Sequence, residues 1–217
     1  MKIKLGVMGS ASEAGRPELA QTLTSKAESL AFAIAKRETL LFTGATTGVV
    51  YLVGKTAHDA GVFHIGISPG SNQQEHVDQY KLPLDACDAI VYTGFGLKGR
   101  NVVLVRSCDI VLFIAGAMGS LNEFTIAHDE GKIIGCLTGT GGVADDADSL
   151  LQKFGKRTNA RVFQNEDPDE LIDACVAALE SQKKNLRSQI SKTYCLATRY
   201  RVVVLTAHDV DRFNHHR

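Results

Sequence analysis

A charged pair, Arg100 and Glu123, stands beside two glycine-rich turns in the middle of the chain. Arg100 opens a predicted helix directly after the turn over 94–99, and Glu123 follows the turn over 116–120 by about one helical turn. A guanidinium binds phosphate or carboxylate in a forked geometry. Each residue alone could be a surface charge or a carboxylate at a helix start. Together they are predicted to be catalytic residues that face each other across a ligand crevice.

Turns rich in small residues follow several predicted strands. They are Gly9-Ser-Ala-Ser12, Gly44-Ala-Thr-Thr-Gly48, Gly94-Phe-Gly-Leu-Lys-Gly99, Gly116-Ala-Met-Gly-Ser120 and, as a fifth candidate, Thr138-Gly-Thr-Gly-Gly142. Free backbone N–H groups and the positive end of the helix dipole favour phosphate at such turns. Because the carboxyl ends of parallel strands open onto one edge of a sheet, the turns together predict one ligand site. Its predicted binding residues are Gly9, Ser10, Gly44, Thr46, Gly48, Gly94, Gly96, Gly116, Ala117, Met118, Gly119 and Ser120.

Two further motif matches fail. The spacing Gly94-x-Gly96-x-x-Gly99 is that of a dinucleotide fingerprint, which also needs an acidic residue about 20 positions on. The strand that should end in this acid ends in Ile114-Ala-Gly116. The segment from Gly48 to Gly54-Lys55-Thr56 resembles a P-loop, but it has one intervening residue too many, and its residues are apolar. No cofactor is predicted.

Short β-branched runs alternate with segments of helical period along most of the chain. Strands are predicted at 3–8, 39–43, 62–67, 88–92, 109–114 and 132–137, with a weaker one at 161–163. A helix is predicted between the first two strands, and others at 48–60, 99–107, 120–130 and 168–182. Alternating strands and helices predict a three-layer α/β/α, doubly wound and mostly parallel sheet of Rossmann-like class.

The composition is that of an ordinary globular protein with no net charge. Lys and Arg together number 24, as do Asp and Glu, so no overall field attracts nucleic acid or a membrane. No apolar run approaches the roughly 18 residues of a membrane span. The amino terminus reads as a strand and lacks the apolar stretch of a signal peptide. The five cysteines are scattered without C-x-x-C spacing, which predicts reduced thiols in a cytoplasmic protein.

The last part of the chain differs from the rest, which predicts a main domain over 1–182 and a basic extension over 183–217. From Lys183 to Arg201 there are six basic residues and no acidic one. A peripheral helix and strand, a partner-binding tail and a disordered extension all fit this composition. His208, His215 and His216 stand near its end, but no metal site is predicted.

At these residues the sequence resembles the LOG ("Lonely guy") family and the wider SLOG superfamily of Rossmann-like nucleotide-binding proteins. The family motif P-G-G-x-G-T-x-x-E stands here as Ala115-Gly-Ala-Met-Gly-Ser-Leu-Asn-Glu123, with Arg100 in the preceding helix. A second family signature appears as Thr43-Gly-Ala-Thr-Thr-Gly-Val-Val50, and the segment 65–70 matches the third strand and its exit. The resemblance covers about residues 3–180.

The motif departs from the LOG pattern at four positions. Ala115 replaces Pro, Ala117 replaces the second glycine, Ser120 replaces Thr, and Asn101 replaces the Lys that usually follows the Arg. The Arg-Asn pair resembles an uncharacterised, molybdenum-cofactor-carrier-like branch of the superfamily. The added methyl of Ala117 lies where the backbone should approach a phosphate closely.

The resemblance implies three alternative functions. The altered motif favours a binding or carrier protein for a phosphate-bearing small molecule, either nucleotide-like or molybdopterin-like. Retention of Arg100 and Glu123 favours a nucleoside 5′-monophosphate phosphoribohydrolase, in which the Glu stabilises oxocarbenium charge and the Arg orients it or binds phosphate. A nucleic-acid-associated factor is least favoured. The resemblance also implies a homo-oligomer, a dimer or larger.

Overall fold

The computed structural model describes residues 1–10 and 17–199. In this part of the chain, seven strands form one sheet in which all neighbours are parallel, in the order β4-β3-β2-β1-β5-β6-β7. The strands are β1 (Ile3–Gly9), β2 (Thr39–Thr43), β3 (His64–Ser68), β4 (Ala89–Tyr92), β5 (Ile110–Ile114), β6 (Ile133–Leu137) and β7 (Arg161–Asn165).

Helices connect these strands. They are α1 (Pro17–Ala35), α2 (Gly48–Asp59), α3 (Gly96–Ser107), α4 (Met118–Asp129), α5 (Gly142–Phe154) and α6 (Pro168–Arg199), with a π-helical turn at Glu75–Gln79. The connection between two parallel strands must cross one face of the sheet. A helix suits this crossing, because its backbone N–H and C=O groups form hydrogen bonds within the helix.

The sheet is covered on both faces, which makes three layers. On one face, Leu30 of α1, Val53 of α2 and Ile172 of α6 belong to one apolar core. On the other face, Leu104 of α3, Phe124 of α4 and Ala144 of α5 form a second core. The central strands β5 and β6 are buried at every position, which explains why they read as unbroken apolar runs.

The observed architecture confirms the predicted fold class, and all seven predicted strands are present. Helix α5 and the π-helical turn are not among the predicted elements. Helices α3 and α4 begin at Gly96 and Met118, slightly earlier than predicted. These earlier starts matter because they bring Lys98 and Gly119 into the first helical turns beside the candidate site.

The helix α6 continues to Arg199, beyond the predicted end at residue 182. One compact unit spans Met1–Leu179, and a second begins at Glu180. The division into a domain over 1–182 and an extension over 183–217 stays a prediction. The strand-like segment 202–205 and the histidines near the carboxyl terminus lie outside the described residues.

The described cysteines are free. They are Cys87, Cys108, Cys136 and Cys175. Among residues 1–10 and 17–199, no three potential metal-ligating side chains of His, Cys, Asp or Glu lie together. In the same ranges, no helix has the length and apolar character needed to cross a membrane.

Candidate functional site

A crevice opens at the point where the direction of the sheet reverses. The chain proceeds outwards from β1 through β2 and β3 to β4, and then returns to β5 on the other side of β1 before continuing to β6 and β7. The loops that follow β1 and β5 therefore lead away from each other. In open α/β sheets, ligands bind at such a reversal, beyond the carboxyl ends of the strands.

A pocket of about 250 Å³ lies at this crevice. Its lining comes from the carboxyl end of β1, the turn after β2, the first turns of α3 and α4, and one side chain of α2. Nine of the residues predicted for the site line it: Gly9, Ser10, Gly44, Thr46, Arg100, Ala117, Gly119, Ser120 and Glu123.

The amino terminus of α4 forms one wall of the pocket. Ala117 precedes the helix in an extended conformation and makes no side-chain capping hydrogen bond. Its carbonyl accepts the hydrogen bond from Leu121 N at 2.9 Å, so the backbone amides of 118–120 have no acceptor within the helix. A β-carbon built on Gly119 would meet no atom within 4 Å. Among the described residues, this helix start therefore combines open space with N–H donors that have no acceptor, as an anion site requires.

The loop between β5 and α4 is held in place by its own neighbours. Val143 N and Ala144 N, at the start of α5, donate to the carbonyls of Gly116 and Ala115 at 3.1 and 3.0 Å. Gly116 N donates to Ser10 Oγ at 3.2 Å. The start of α5 is thus occupied by backbone carbonyls, whereas the start of α4 is left facing the pocket.

Arg100 and Glu123 lie next to each other in the pocket lining. Nη1 of Arg100 lies 3.6 Å from Oε1 of Glu123, and their side chains are only 8% and 9% exposed. Nε of Arg100 is buried and has no hydrogen-bond partner in the described part of the chain. Gly44 makes room for the guanidinium, because a β-carbon at this residue would lie 1.9 Å from Nη1.

Burial acts on the charge of both residues. It raises the pKa of Glu123 to about 7, although the positive charges of Arg100 and Lys98 oppose the change. Burial also lowers the pKa of Arg100 from its ordinary value, and Glu123 opposes that change. A guanidinium still keeps its proton in a protein. Near neutral pH the pair therefore carries a positive charge whenever Glu123 is protonated.

Asn101, which replaces the usual Lys, lies beside the pair and is buried. With its amide turned so that the nitrogen faces Glu123, Nδ2 donates to Glu123 Oε1 at 3.1 Å and to Leu97 O at 3.0 Å. The hydrogen-bond network favours this orientation, because in the other one the amide oxygen would face only acceptors. Asn101 therefore orients the carboxyl group that a lysine would neutralise.

Five predicted binding residues lie outside the pocket lining: Gly48, Gly94, Gly96, Gly116 and Met118. The amides of Gly94 and Gly96 donate to the carbonyls of Gly70 and Pro69 at 2.9 and 3.0 Å. Gly116 N is bound to Ser10, Gly48 begins α2, and the side chain of Met118 is 76% exposed. The backbone amide of Met118 still belongs to the start of α4, and a ligand role for these five residues stays a prediction.

Other lining residues are absent from the predicted set. They are Val7, Met8, Val50, Leu97, Lys98 and Asn101. Lys98 had a usable signal, because it is a cation within the glycine-rich turn before Arg100. The apolar residues had none, since a strand or helix residue beside a pocket resembles any other core residue.

Known proteins share this fold and parts of the sequence. TM1055, known from an X-ray structure, is 28% identical with a TM-score of 0.67, and the match covers 80% of this chain and 98% of TM1055. The molybdenum cofactor binding protein from Rippkaea orientalis is 26% identical with a TM-score of 0.61, covering 82% and 98% of the two chains. An uncharacterized protein from Archaeoglobus fulgidus is 26% identical over 145 residues, which is 67% of this chain and 80% of the relative.

These similarities agree with the SLOG resemblance of the motif around Arg100 and Glu123. The model of the SLOG cluster4 family matches residues 2–172, which include the whole sheet and the pocket. The chain belongs to the SLOG cluster4 family.

Proposed function

We propose that this protein binds a phosphate-bearing small molecule in the pocket, in a binding or carrier role. The ligand class is nucleotide-like or molybdopterin-like. The similarity to a molybdenum cofactor binding protein supports this class, as does the position of the pocket at the reversal of the sheet. The substitutions Ala115 and Ala117 in the LOG motif favour binding over turnover.

The buried guanidinium of Arg100 is the observation that carries the proposal. A buried charge needs hydrogen bonds as well as a counter-charge, and leaving its donors unpaired costs several kcal/mol. Within the described residues, Arg100 has only the 3.6 Å contact with Glu123, and its Nε has no acceptor. A phosphate oxygen would supply the missing acceptor in the geometry that a guanidinium prefers.

The start of α4 supplies the second half of the anion site. Its free amides and the positive end of the helix dipole are at the same pocket as Arg100. The hydroxyl of Ser120 is buried at the same helix start and would donate a further hydrogen bond. Lys98 adds positive charge close enough to affect Glu123. These groups would share the phosphate, and the remaining part of the ligand would extend along the crevice.

Calorimetric titration tests the proposal. The purified protein should bind adenosine 5′-monophosphate and inorganic phosphate, and it should bind adenosine at least tenfold more weakly than its monophosphate. Native mass spectrometry of protein taken from cells should show a bound phosphorylated compound. Equal affinity for adenosine and its monophosphate would contradict the proposal. Failure to bind any phosphate compound in both experiments would also contradict it.

A second candidate function is hydrolysis of a nucleoside 5′-monophosphate to free base and ribose 5-phosphate. It is favoured by Glu123, a pocket-lining carboxyl group whose pKa is raised to about 7 by burial. Such groups are typical of acid, base and charge-stabilising roles. Incubation with purine and pyrimidine monophosphates, followed by an assay for free base, separates the two functions. Base release that Glu123→Gln abolishes would establish the enzyme and overturn the carrier role.

Other predictions from the sequence are tested neither by the described residues nor by the comparisons. They are formation of a homo-oligomer, cytoplasmic location, and nucleic-acid association through the basic extension over 183–217. A salt-sensitive shift of single-stranded DNA, lost on deletion of that extension, would support the last of these.

A further inference from the structure

A buried hydroxyl–histidine pair lies behind the turn that supports Arg100. Thr43 ends β2, and its Oγ1 accepts a hydrogen bond from Ala45 N at 3.2 Å. The same Oγ1 lies 2.8 Å from Nε2 of His64. The other ring nitrogen of His64, Nδ1, is hydrogen-bonded to the carbonyl of Ala86. Both side chains of the pair are almost completely buried.

The partners of His64 determine where its proton lies. A carbonyl oxygen only accepts, so Nδ1 carries the hydrogen and donates it to Ala86. Burial lowers the pKa of His64 to about 4, so the ring is neutral at physiological pH and Nε2 is an acceptor. The hydroxyl of Thr43 therefore donates to Nε2 and accepts from Ala45 N. Sγ of Cys87 lies 3.8 Å from the same Nε2, a longer contact than that of the Thr43 hydroxyl.

This chain of hydrogen bonds holds the turn over 43–45 in a strained conformation. Ala45 has a φ of 48°, a left-handed conformation that costs a residue with a β-carbon roughly 1 kcal/mol. Gly44, the residue between the two ends of the hydrogen bond, lies against the guanidinium of Arg100. Relaxation of Ala45 would move Gly44 and change the surface on which Arg100 rests.

The same arrangement occurs again on the next strand. Ser68 ends β3, and its Oγ accepts from Gly70 N at 3.0 Å and lies 2.8 Å from Nδ1 of His76. Nε2 of His76 lies 3.0 Å from the carbonyl of Pro83, which fixes the opposite tautomer. The two histidines thus connect two consecutive strand ends to one short segment over 83–86.

The second pair supports the helix that carries Arg100. The carbonyls of Pro69 and Gly70, held by Ser68, accept the amides of Gly96 and Gly94. Gly96 is the first residue of α3, and Arg100 follows one turn later. The first pair holds the turn whose Gly44 lies against the guanidinium, and the second holds the turn that accepts the amides at the start of α3.

We propose that His64 and His76 are positioning residues for Arg100, each acting through the hydroxyl at the end of a strand. Neither histidine lines the pocket. This role also accounts for Gly94 and Gly96, whose amides bind the turn that His76 holds rather than a ligand. The prediction for phosphate affinity rests on the proposed function. The prediction for the Glu123 titration in ligand-free protein does not.

Substitution of the two hydroxyl residues tests this role. Thr43→Val and Ser68→Ala should each weaken binding of inorganic phosphate about tenfold, the effect of losing roughly 1.4 kcal/mol. A carbon-13 NMR titration of the Glu123 carboxyl in ligand-free protein gives an independent measurement. Both variants should raise the pKa of Glu123, because the positive charge that lowers it has moved away.

The chain offers a matched control and a rescue variant. Thr39 is also buried on β2, but its Oγ1 has no hydrogen-bond partner among the described residues, so Thr39→Val should change neither quantity. Thr43→Ser keeps the hydroxyl and should restore both. If Thr43→Val does not fold, Ser68→Ala decides.

Three results distinguish failure of the positioning role from failure of the proposed function. Folded Thr43→Val and Ser68→Ala proteins with unchanged phosphate affinity and unchanged Glu123 titration would overturn the positioning role. If wild-type protein binds neither inorganic phosphate nor any phosphate compound while the Glu123 titration shifts in both variants, the proposed function fails and the positioning role stands. If the titration does not shift and wild type does not bind, both fail.

Discussion

The guanidinium of Arg100 lies directly against the α-carbon of Gly44, a residue 56 positions earlier in the chain. The contact brings the turn after β2 against a side chain of α3, one turn after the start of this helix. It leaves no space for any side chain at residue 44. The glycine of the Thr43-Gly44 signature is therefore explained by its packing on Arg100, in addition to its place in the pocket lining.

Substitution of Gly44 should displace Arg100. A β-carbon there would lie 1.9 Å from Nη1, so Gly44→Ala should lower phosphate affinity by at least tenfold, measured by calorimetry. Gly61→Ala is the control, because a β-carbon at Gly61 meets no atom within 4 Å. The control should bind phosphate like wild type, although its φ of 89° makes it less stable. Wild-type affinity in a folded Gly44→Ala protein would contradict the packing role.

Substitution of Gly119 by alanine should stabilise the protein, whereas Gly61→Ala should destabilise it. It lies in the first turn of α4 with open space around it, so Gly119→Ala should raise the free energy of unfolding by about 0.5–1 kcal/mol. The new methyl group would project into the space beside the free amides and should weaken phosphate binding. Urea unfolding and calorimetry measure the two effects. A Gly119→Ala protein that binds phosphate like wild type would show that the anion does not bind at the start of α4.

Gly54, in the segment that resembles a P-loop, should not tolerate alanine although it lies in a helix. In a helix, Gly→Ala ordinarily stabilises by about 1 kcal/mol. Here the new β-carbon would lie 2.5 Å from Cε1 of His64, so Gly54→Ala should destabilise the protein by about 1–3 kcal/mol. Chemical denaturation measures the change. A stabilised variant would show that the His64 ring is free to move, which its hydrogen bonds do not permit.

The stability of the protein should depend on pH through Glu123. Its pKa is raised from 4.5 to about 7 in the folded protein, so the folded state holds this proton more tightly than the unfolded state. The resulting stabilisation is fully present below pH 4.5 and is lost as pH rises through 7. Relative to Glu123→Gln, wild type should lose about 2 kcal/mol of unfolding free energy between pH 5 and pH 8.

Comparison with the Gln variant at each pH removes the contribution of other titrating groups. The absolute stability of Glu123→Gln also depends on the charge of Arg100, which loses its counter-charge, so only the pH-dependent part of the difference is informative. A difference that stays constant from pH 5 to pH 8 would show that Glu123 has an ordinary pKa.

The fold could be predicted from the sequence because its strands are buried on both faces. Ile110–Ile114 and Ile133–Leu137 are runs of apolar residues that no surface element would contain. Helix α5 is not predicted in this way, because its sequence contains no such run of apolar residues. Its segment Gly142–Phe154 begins with glycine and contains Asp145, Asp146 and Asp148, while its buried face consists of the small residues Val143, Ala144 and Ala147.

The candidate site was predictable only in part. Motif spacing placed Arg100 and Glu123 together, because both follow turns at one edge of the sheet. The same spacing could not show whether the amides of Gly94 and Gly96 face a ligand or another turn. That distinction depends on the carbonyls of Gly70 and Pro69, which accept these two amides only in the folded protein.

The role of Arg100 as the buried cation of an anion site is tested most directly by calorimetric titration of Arg100→Met with inorganic phosphate. Arg106→Met is the matched control, since Arg106 is on the same helix but is exposed and paired with Glu130. We predict that Arg100→Met lowers the affinity for phosphate at least tenfold, while Arg106→Met binds like wild type. Equal loss in both variants, or no loss in folded Arg100→Met, would contradict this account.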